Sequence, residues 1–201
     1  MNQELYQKIL SYAPYNEQEE KDKALFLDAL KEQRDVFTRK NRFAHFTASA
    51  WVVDKEREKI LLCYHNIYHS WTWLGGHADG EENLLSVAIK EVREESGLIH
   101  IRPLQDGNIL SLDSLSVDGH EKRGEYVSTH LHLNVTYLLE ADQKERMRIK
   151  EDENSKLGWF AFDDILTLSN EKWFIYHIYP KLNAKLRNYI KEEKQMSKSS
   201  I

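Results

Sequence analysis

From His130 to Ala141 the chain reads HLHLNVTYLLEA, and its side chains alternate. Leu131, Leu133, Val135, Tyr137 and Leu139 take one set of positions, and His130, His132, Asn134 and Thr136 take the other. A period of two is the period of a β-strand, and here it predicts a strand with one buried face. The other β-type runs are short. TASAWVV (Thr47 to Val53) and ILLCYHN (Ile60 to Asn66) flank the charged turn DKEREK, the pattern of a hairpin. ILSLDSLSVDG precedes the alternating run across the turn-rich DGHEKRGE, and LGWFAF reads as a further short strand.

The ends of the chain have helical periodicity instead. Leu5, Ile9 and Leu10 are helically spaced, APYNEQEE interrupts, and Ala24, Leu25, Leu27, Ala29 and Leu30 form a second apolar stripe. Asn16 is placed to cap this second helix, with Glu19 three residues on. The tail, EKWFIYHIYPKLNAKLRNYIKEE, is helical on both sides of Pro180, which starts a new helix or kinks the old one. Strands before and after a central helix give a mixed α/β fold with helical ends. We expect a helical extension over residues 1–45 and the main domain over 46–201.

Composition narrows the class. A length of 201 residues favours one domain, and 41% hydrophobic content suffices for a packed core. The net charge of −5 provides no basic field to hold a nucleic-acid backbone. The single cysteine, Cys63, cannot form an internal disulfide and fits a reducing compartment. MNQELYQKIL lacks the apolar stretch of a secretory signal, and no run approaches the length of a spanning helix. The expectation is a cytoplasmic protein with neither nucleic acid nor membrane as partner.

The chemistry concentrates in LGGHADGEENLLSVAIKEVREESGL, Leu74 to Leu98. On a helix, Glu94 and Glu95 fall within roughly 60° of Glu91, while Leu85, Ala88, Ile89 and Val92 gather on a separate sector that can pack on a sheet. Three carboxylates at this spacing repel one another, and no lysine or arginine shares their sector. A solvated acidic face is the ordinary explanation. A divalent cation would reverse the sign of the repulsion, and hard oxygen ligands suit Mg²⁺ or Mn²⁺.

The spacing around these acids favours the second explanation. Gly76, five residues, Glu82, seven residues, then Lys90-Glu91-Val92-Arg93-Glu94-Glu95-Ser96-Gly97-Leu98 resembles the Nudix box over 23 consecutive positions. Lys90 is the one departure, standing where the family usually has arginine. The resemblance implies an α/β/α sandwich with a mixed sheet, and an enzyme that cuts the pyrophosphate of a nucleoside diphosphate linked to another moiety. ADP-ribose, a modified nucleoside triphosphate, a dinucleoside polyphosphate and a sugar nucleotide are all candidate substrates. By position, Glu91, Glu94 and Glu95 would be metal ligands and catalytic residues. Glu82 would support the box from behind, Gly76 would allow its tight loop and Gly97 the helix exit. The family arginine orients a catalytic glutamate through a planar fork, so Lys90 keeps the charge but loses the geometry. The family also makes a homodimer plausible.

Outside the box, Glu153 precedes a W-F strand, as an extra ligand or base does in several family members; a solvated charge is the alternative. Trp73 could stack on a nucleobase or pack in the core. His77 follows Gly76 and would approach phosphate, and His130 and His132 would line a substrate cleft or meet water. His65, His69 and His77 lack the spacing of a zinc site, and no cysteine pair completes one. Cys63 reads as a small core residue. Two other functions compete: a non-catalytic nucleotide-sensing Nudix domain, and an isopentenyl-diphosphate isomerase. The isomerase needs a catalytic cysteine near WTWLGGH, where this chain has glycines. The sensor commonly loses box glutamates, all of which are present here.

Overall fold

The computed structural model describes residues 2–32, 34–122 and 124–199. In chain order the elements are α1 (Gln3–Ser11), α2 (Glu17–Glu32), β1 (Ala44–Val53), β2 (Lys59–His65), β3 (Ser70–Thr72), β4 (Leu74–His77), α3 (Leu84–Ser96), β5 (Ile101–Pro103), β6 (Ile109–Val117), β7 (His120–Lys122), β8 (Glu125–Val127), β9 (His130–Ala141), β10 (Asn154–Ala161), α4 (Ile165–Leu168) and α5 (Tyr179–Ser199). The strand order is β10-β2-β1-β9-β5, with β3 paired to β2, β4 to β1 and β6 to β9. The fold is mixed α/β with helices at both ends of the chain, as expected. Two compact units are distinguished. The first holds Met1–Ala50, Gly75–Val92 and Pro103–Leu138; the second holds Trp51–Leu74, Arg93–Arg102 and Leu139–Ile201.

In the first unit, α1 and α2 form the expected helical hairpin. Asn2 caps α1 by accepting from Leu5 N at 2.9 Å, and Asn16 caps α2 by accepting from Glu19 N at 3.0 Å. Leu5, Ile9, Phe26 and Leu30 are buried, and Phe26 meets Phe46 of β1 edge-on at 5.6 Å. Glu19 is fully buried. Its carboxylate accepts from Tyr12 Oη at 2.7 Å, Tyr15 N at 2.7 Å and, across to β6, Ser111 Oγ at 2.9 Å. Burial and the Glu19 charge push the Tyr12 hydroxyl well above its ordinary pKa.

The pairing of β1 with β9 sets the inner face of this unit. Leu131 N donates to Phe43 O at 2.9 Å, and Thr47 Oγ1 and Ser49 Oγ both donate to Asn134 Oδ1, at 3.0 and 2.8 Å. The contacts advance in the same direction along both strands, so the two run parallel. The β1–β2, β2–β3, β2–β10 and β6–β9 pairs are antiparallel, which makes the sheet mixed. The alternation in β9 predicted one buried face, but both faces are buried from Leu133 onward. The polar set is accommodated inside because its members bond one another, Asn134 Nδ2 donating to Thr136 Oγ1 at 3.1 Å. Between β6 and β9 the expected turn contains a small antiparallel ribbon, β7 with β8.

In the second unit the predicted hairpin closes through Val53 opposite Ile60. Asp54 Oδ1 organises its turn by accepting from Glu58 N at 2.8 Å and Lys59 N at 3.0 Å. Arg57 in that turn pairs with Glu140, which also accepts from Arg102 at 2.9 and 3.0 Å. Trp51 stacks on the fully buried Tyr179 at 5.7 Å, and Tyr179 Oη bonds Thr72 Oγ1 at 3.0 Å. A π-helical turn, Phe174–Ile178, runs straight into α5 with Tyr179 in helical conformation, so the chain is helical on both sides of Pro180 and the widened turn lies just where its missing N–H would interrupt the α ladder. Among the described residues no helix is long and apolar enough to cross a membrane.

Replacing Glu19 by Ala removes the buried acceptor shared by Tyr12 Oη, Tyr15 N and Ser111 Oγ and vacates its site. In urea denaturation Glu19→Ala is expected to lose about 3 kcal/mol, while the exposed neighbour Glu20→Ala stays within about 0.5 kcal/mol of wild type.

Candidate functional site

The helix that carries the acids, α3, starts at Asn83, whose Oδ1 accepts from Ser86 N at 3.1 Å. Its packing stripe differs from the one expected. Leu84, Val87, Ala88 and Val92 are buried, while Leu85 and Ile89 are only half-buried. Leu84, Val87, Ala88, Glu91 and Glu95 follow the i, i+3, i+4, i+7, i+11 spacing of one helical face. Two of the three candidate ligands therefore lie on the buried stripe itself, Glu91 being 8% exposed and Glu95 3%, whereas Glu94 is exposed. Aliphatic spacing alone mis-set the helix because it ranked the glutamates as outward residues.

Within the first unit, Gly76 of β4 lies against Glu91. A Cβ added at Gly76 would sit 2.5 to 2.8 Å from the Glu91 carboxyl atoms, so a side chain there would displace that carboxylate from its present position. Its neighbour Gly75 is equally confined, a Cβ there falling 2.6 Å from Ala48 O and Ser49 Oγ. Lys90 Nζ stands 3.7 Å from Glu91 Oε1 on a side chain that is mostly exposed. Glu82 is exposed in the preceding loop, and its carbonyl accepts from Asn2 Nδ2 at 3.4 Å.

Within the second unit, the end of α3 meets the start of β10. Lys150 Nζ is 2.9 Å from Glu153 and 3.6 Å from Glu94, so one ammonium holds both carboxylates. Asn154 Nδ2 donates to Glu95 O at 3.2 Å, and Arg148 N donates to Ser96 O at 2.7 Å. Gly97 has φ +73°, a left-handed exit that favours glycine, and a Cβ there would press 3.0 Å from Arg148 Cβ. The buried Cys63 thiol is pushed well up by burial, then by the Glu95 charge and more weakly by Glu153. It is a core residue and a poor nucleophile, contrary to what an isomerase requires.

Four histidines converge in the first unit: His45 on β1, His77 on β4, and His130 and His132 on β9. One ring nitrogen from each of His45, His77 and His132 lies within 4.8 Å of the others. His130 Nε2 is 3.2 Å from His132 Nε2, and the His130 ring stacks on His45 at 4.9 Å. Burial, then the neighbouring imidazoles, lower the His132 pKa to about 2, so this ring is neutral. His77, His130 and His132 were singled out from sequence. His45 was not, because its ring joins the others only through strand pairing.

Trp73 packs in the second unit, edge-on to Phe174 at 5.6 Å and Tyr179 at 6.0 Å, with 8% of its surface exposed. A groove there, lined by Lys55, Arg102, Glu140, Asp142 and Lys144 among others, has Lys55 paired with Asp142 and Arg102 with Glu140. Sequence reasoning passed over Glu171, whose Oε1 is buried with no hydrogen-bond partner among the described residues. Burial raises its pKa from 4.5 to about 7, and no local pattern in NEKW signals that burial. The folded state favours the protonated carboxyl, so this contribution is full below the unfolded pKa and is lost as pH rises through about 7. Stability measured by denaturation is expected to fall by up to about 3 kcal/mol between pH 4.5 and 8 from this group. Glu171→Gln should flatten that limb and be the more stable protein at pH 8.

The chain matches the family model described as NUDIX domain over residues 44–182. Among solved structures it is similar to a C. elegans Ap4A hydrolase in a binary complex, with 18% identity and a TM-score of 0.51 over 71% of this chain and 98% of that one. It is also similar to a NUDIX family hydrolase from Clostridium perfringens, with 20% identity and a TM-score of 0.49 over 70% of this chain and 97% of that one. A third similar structure is the E. coli dihydroneopterin triphosphate pyrophosphohydrolase, with 12% identity and a TM-score of 0.49 over 66% of this chain and 91% of that one. No curated protein sequence matches the chain. With the family pattern spanning most of its length, the chain belongs to the Nudix hydrolase family.

Proposed function

We propose that this protein hydrolyses the pyrophosphate bond of a nucleoside diphosphate linked to another moiety, and that Glu91, Glu94 and Glu95 hold Mg²⁺ or Mn²⁺ for that reaction. The observation that carries the reading is the burial of Glu91 and Glu95 on the same side of α3 as Leu84, Val87 and Ala88. Carboxylates are rarely placed on a packing stripe unless something compensates their charge. The donors are all hard oxygens, the set these cations prefer, and Gly76 leaves the space a side chain would fill. Bound there, such a cation would neutralise charge on the bridging phosphates and lower the pKa of a bound water.

The chain's own residues supply position. Gly76 lets Glu91 lie against β4, while Asn154 and the Gly97 exit fix the end of α3 that carries Glu94 and Glu95. Glu153, kept beside Glu94 by Lys150, is the proposed acceptor for the proton of the attacking water. It is more accessible than Glu95, the other candidate base, and a base must reach water. Attack on one phosphorus in line with the bridging oxygen then releases the other phosphate with the bond's electron pair. Lys90 adds positive charge beside Glu91 without the bidentate fork of an arginine, so orientation is looser while the chemistry is retained.

The test is product release from ADP-ribose, a modified nucleoside triphosphate, a dinucleoside polyphosphate and a sugar nucleotide, with each metal. Wild type is expected to turn over at least one of them. Glu94→Gln should lose about 100-fold or more in kcat, and Gly76→Ala about 10-fold or more, both with an unchanged far-UV spectrum. Tight nucleotide binding with no turnover under either metal would replace this reading with a sensing role.

A further inference from the structure

We infer that His45, His77, His130 and His132 form a binding site for one divalent transition-metal ion of the zinc type, distinct in chemistry from the carboxylates of α3. The site is independent of the proposed hydrolysis, since it uses none of the box glutamates.

The donor set argues first. Three imidazoles, from His45, His77 and His132, group with no carboxylate among them and His130 adjoins through His132, and imidazole nitrogen suits Zn²⁺, Cu²⁺ or Ni²⁺ rather than Mg²⁺ or Mn²⁺. His130 Nε2 and His132 Nε2 are 3.2 Å apart, close to the roughly 3.3 Å expected between two nitrogens of a tetrahedral zinc site. The ligand atoms of His45, His77 and His132 lie within 4.8 Å, so a small contraction would bring them around one ion.

The backbone around the rings argues next. His45 Nδ1 is 3.1 Å from Asn41 O, and His130 Nδ1 is 2.8 Å from Ser128 O. A carbonyl only accepts, so each Nδ1 carries its hydrogen, and in the neutral ring Nε2 carries the lone pair. This carbonyl-to-imidazole arrangement is the usual outer support of a metal-bound histidine. His45 is 4% exposed, and its Nε2 is buried with no hydrogen-bond partner among the described residues. A buried ring nitrogen with an unused lone pair is unfavourable by itself, and coordination would satisfy it.

The neighbourhood adds no competing charge. Arg39, whose charge reaches His45, is engaged in a two-point pair with Asp79 at 2.8 and 2.5 Å. The ion would tie β1, β4 and β9 together. Because His77 follows Gly76, it would also anchor the strand on which Glu91 rests.

The experiment uses the full chain in a Glu94→Gln background, stripped with a chelator and titrated with Zn²⁺ alone and then Co²⁺ alone. One equivalent of Zn²⁺ is expected to bind with a Kd below micromolar, unaffected by millimolar Mg²⁺, and to raise Tm. Co²⁺ should give the intense visible absorption of tetrahedral nitrogen coordination. His45→Ala and His132→Ala should each weaken Zn²⁺ binding by about 100-fold, with folding checked by circular dichroism. Absence of stoichiometric binding, a faint octahedral Co²⁺ spectrum, or full affinity in folded histidine variants would each overturn the proposal. The Co²⁺ spectrum of the unsubstituted histidines decides the matter even where a variant fails to fold. The Glu94→Gln background keeps failure here separate from failure of the proposed hydrolysis.

Discussion

Polar side chains can occupy the inside of a sheet only when their hydrogen bonds are made, and the inner face shared by β1 and β9 is polar from His45 to Ser49 and from His130 to Thr136. Asn134 is the centre of that face. Its carbonyl oxygen takes Thr47 and Ser49 and its amide gives to Thr136, so three partners on two strands are satisfied by one side chain. A slip of one residue would bring Phe46 and Ala48 opposite it and leave these groups unpaired. The bonds therefore fix the parallel register. That register aligns His45 with His130 and His132, and confines the backbone of Gly75 beside Ser49.

The acids of α3 present a related problem with a different solution. Glu91 and Glu95 occupy the stripe where an ordinary amphipathic helix has leucine or valine, and nothing about helix stability calls for them there. The surroundings are cut to fit: a glycine faces Glu91, an asparagine grips the backbone at Glu95, and Lys150 spans Glu94 and Glu153. Groups that burden a fold and are supported so specifically belong to chemistry more often than to packing.

Much of this was legible in the residues. The cap at Asn16, the hairpin around DKEREK, the strand at LGWFAF and the helical character on both sides of Pro180 depend on neighbours within a few positions, and all stand as expected. Three features were misjudged or missed, each for lack of long-range information. The β9 alternation suggested a wet face, because a buried hydrogen-bond partner on another strand leaves no trace in a local pattern. The stripe on α3 was set from aliphatic residues alone, which moved it away from Glu91 and Glu95. Glu171 was passed over because no local pattern marks its burial.

By itself the sequence determined the mixed α/β class, the helical ends and the spacing of the box, since periodicity, capping and fixed gaps are properties of a contiguous chain. Only the tertiary structure decided which acids are buried, which glycine faces a carboxylate, and that four histidines spread over nearly ninety residues share one place. Burial and convergence follow from which strands become neighbours, and that choice is made by the whole chain at once.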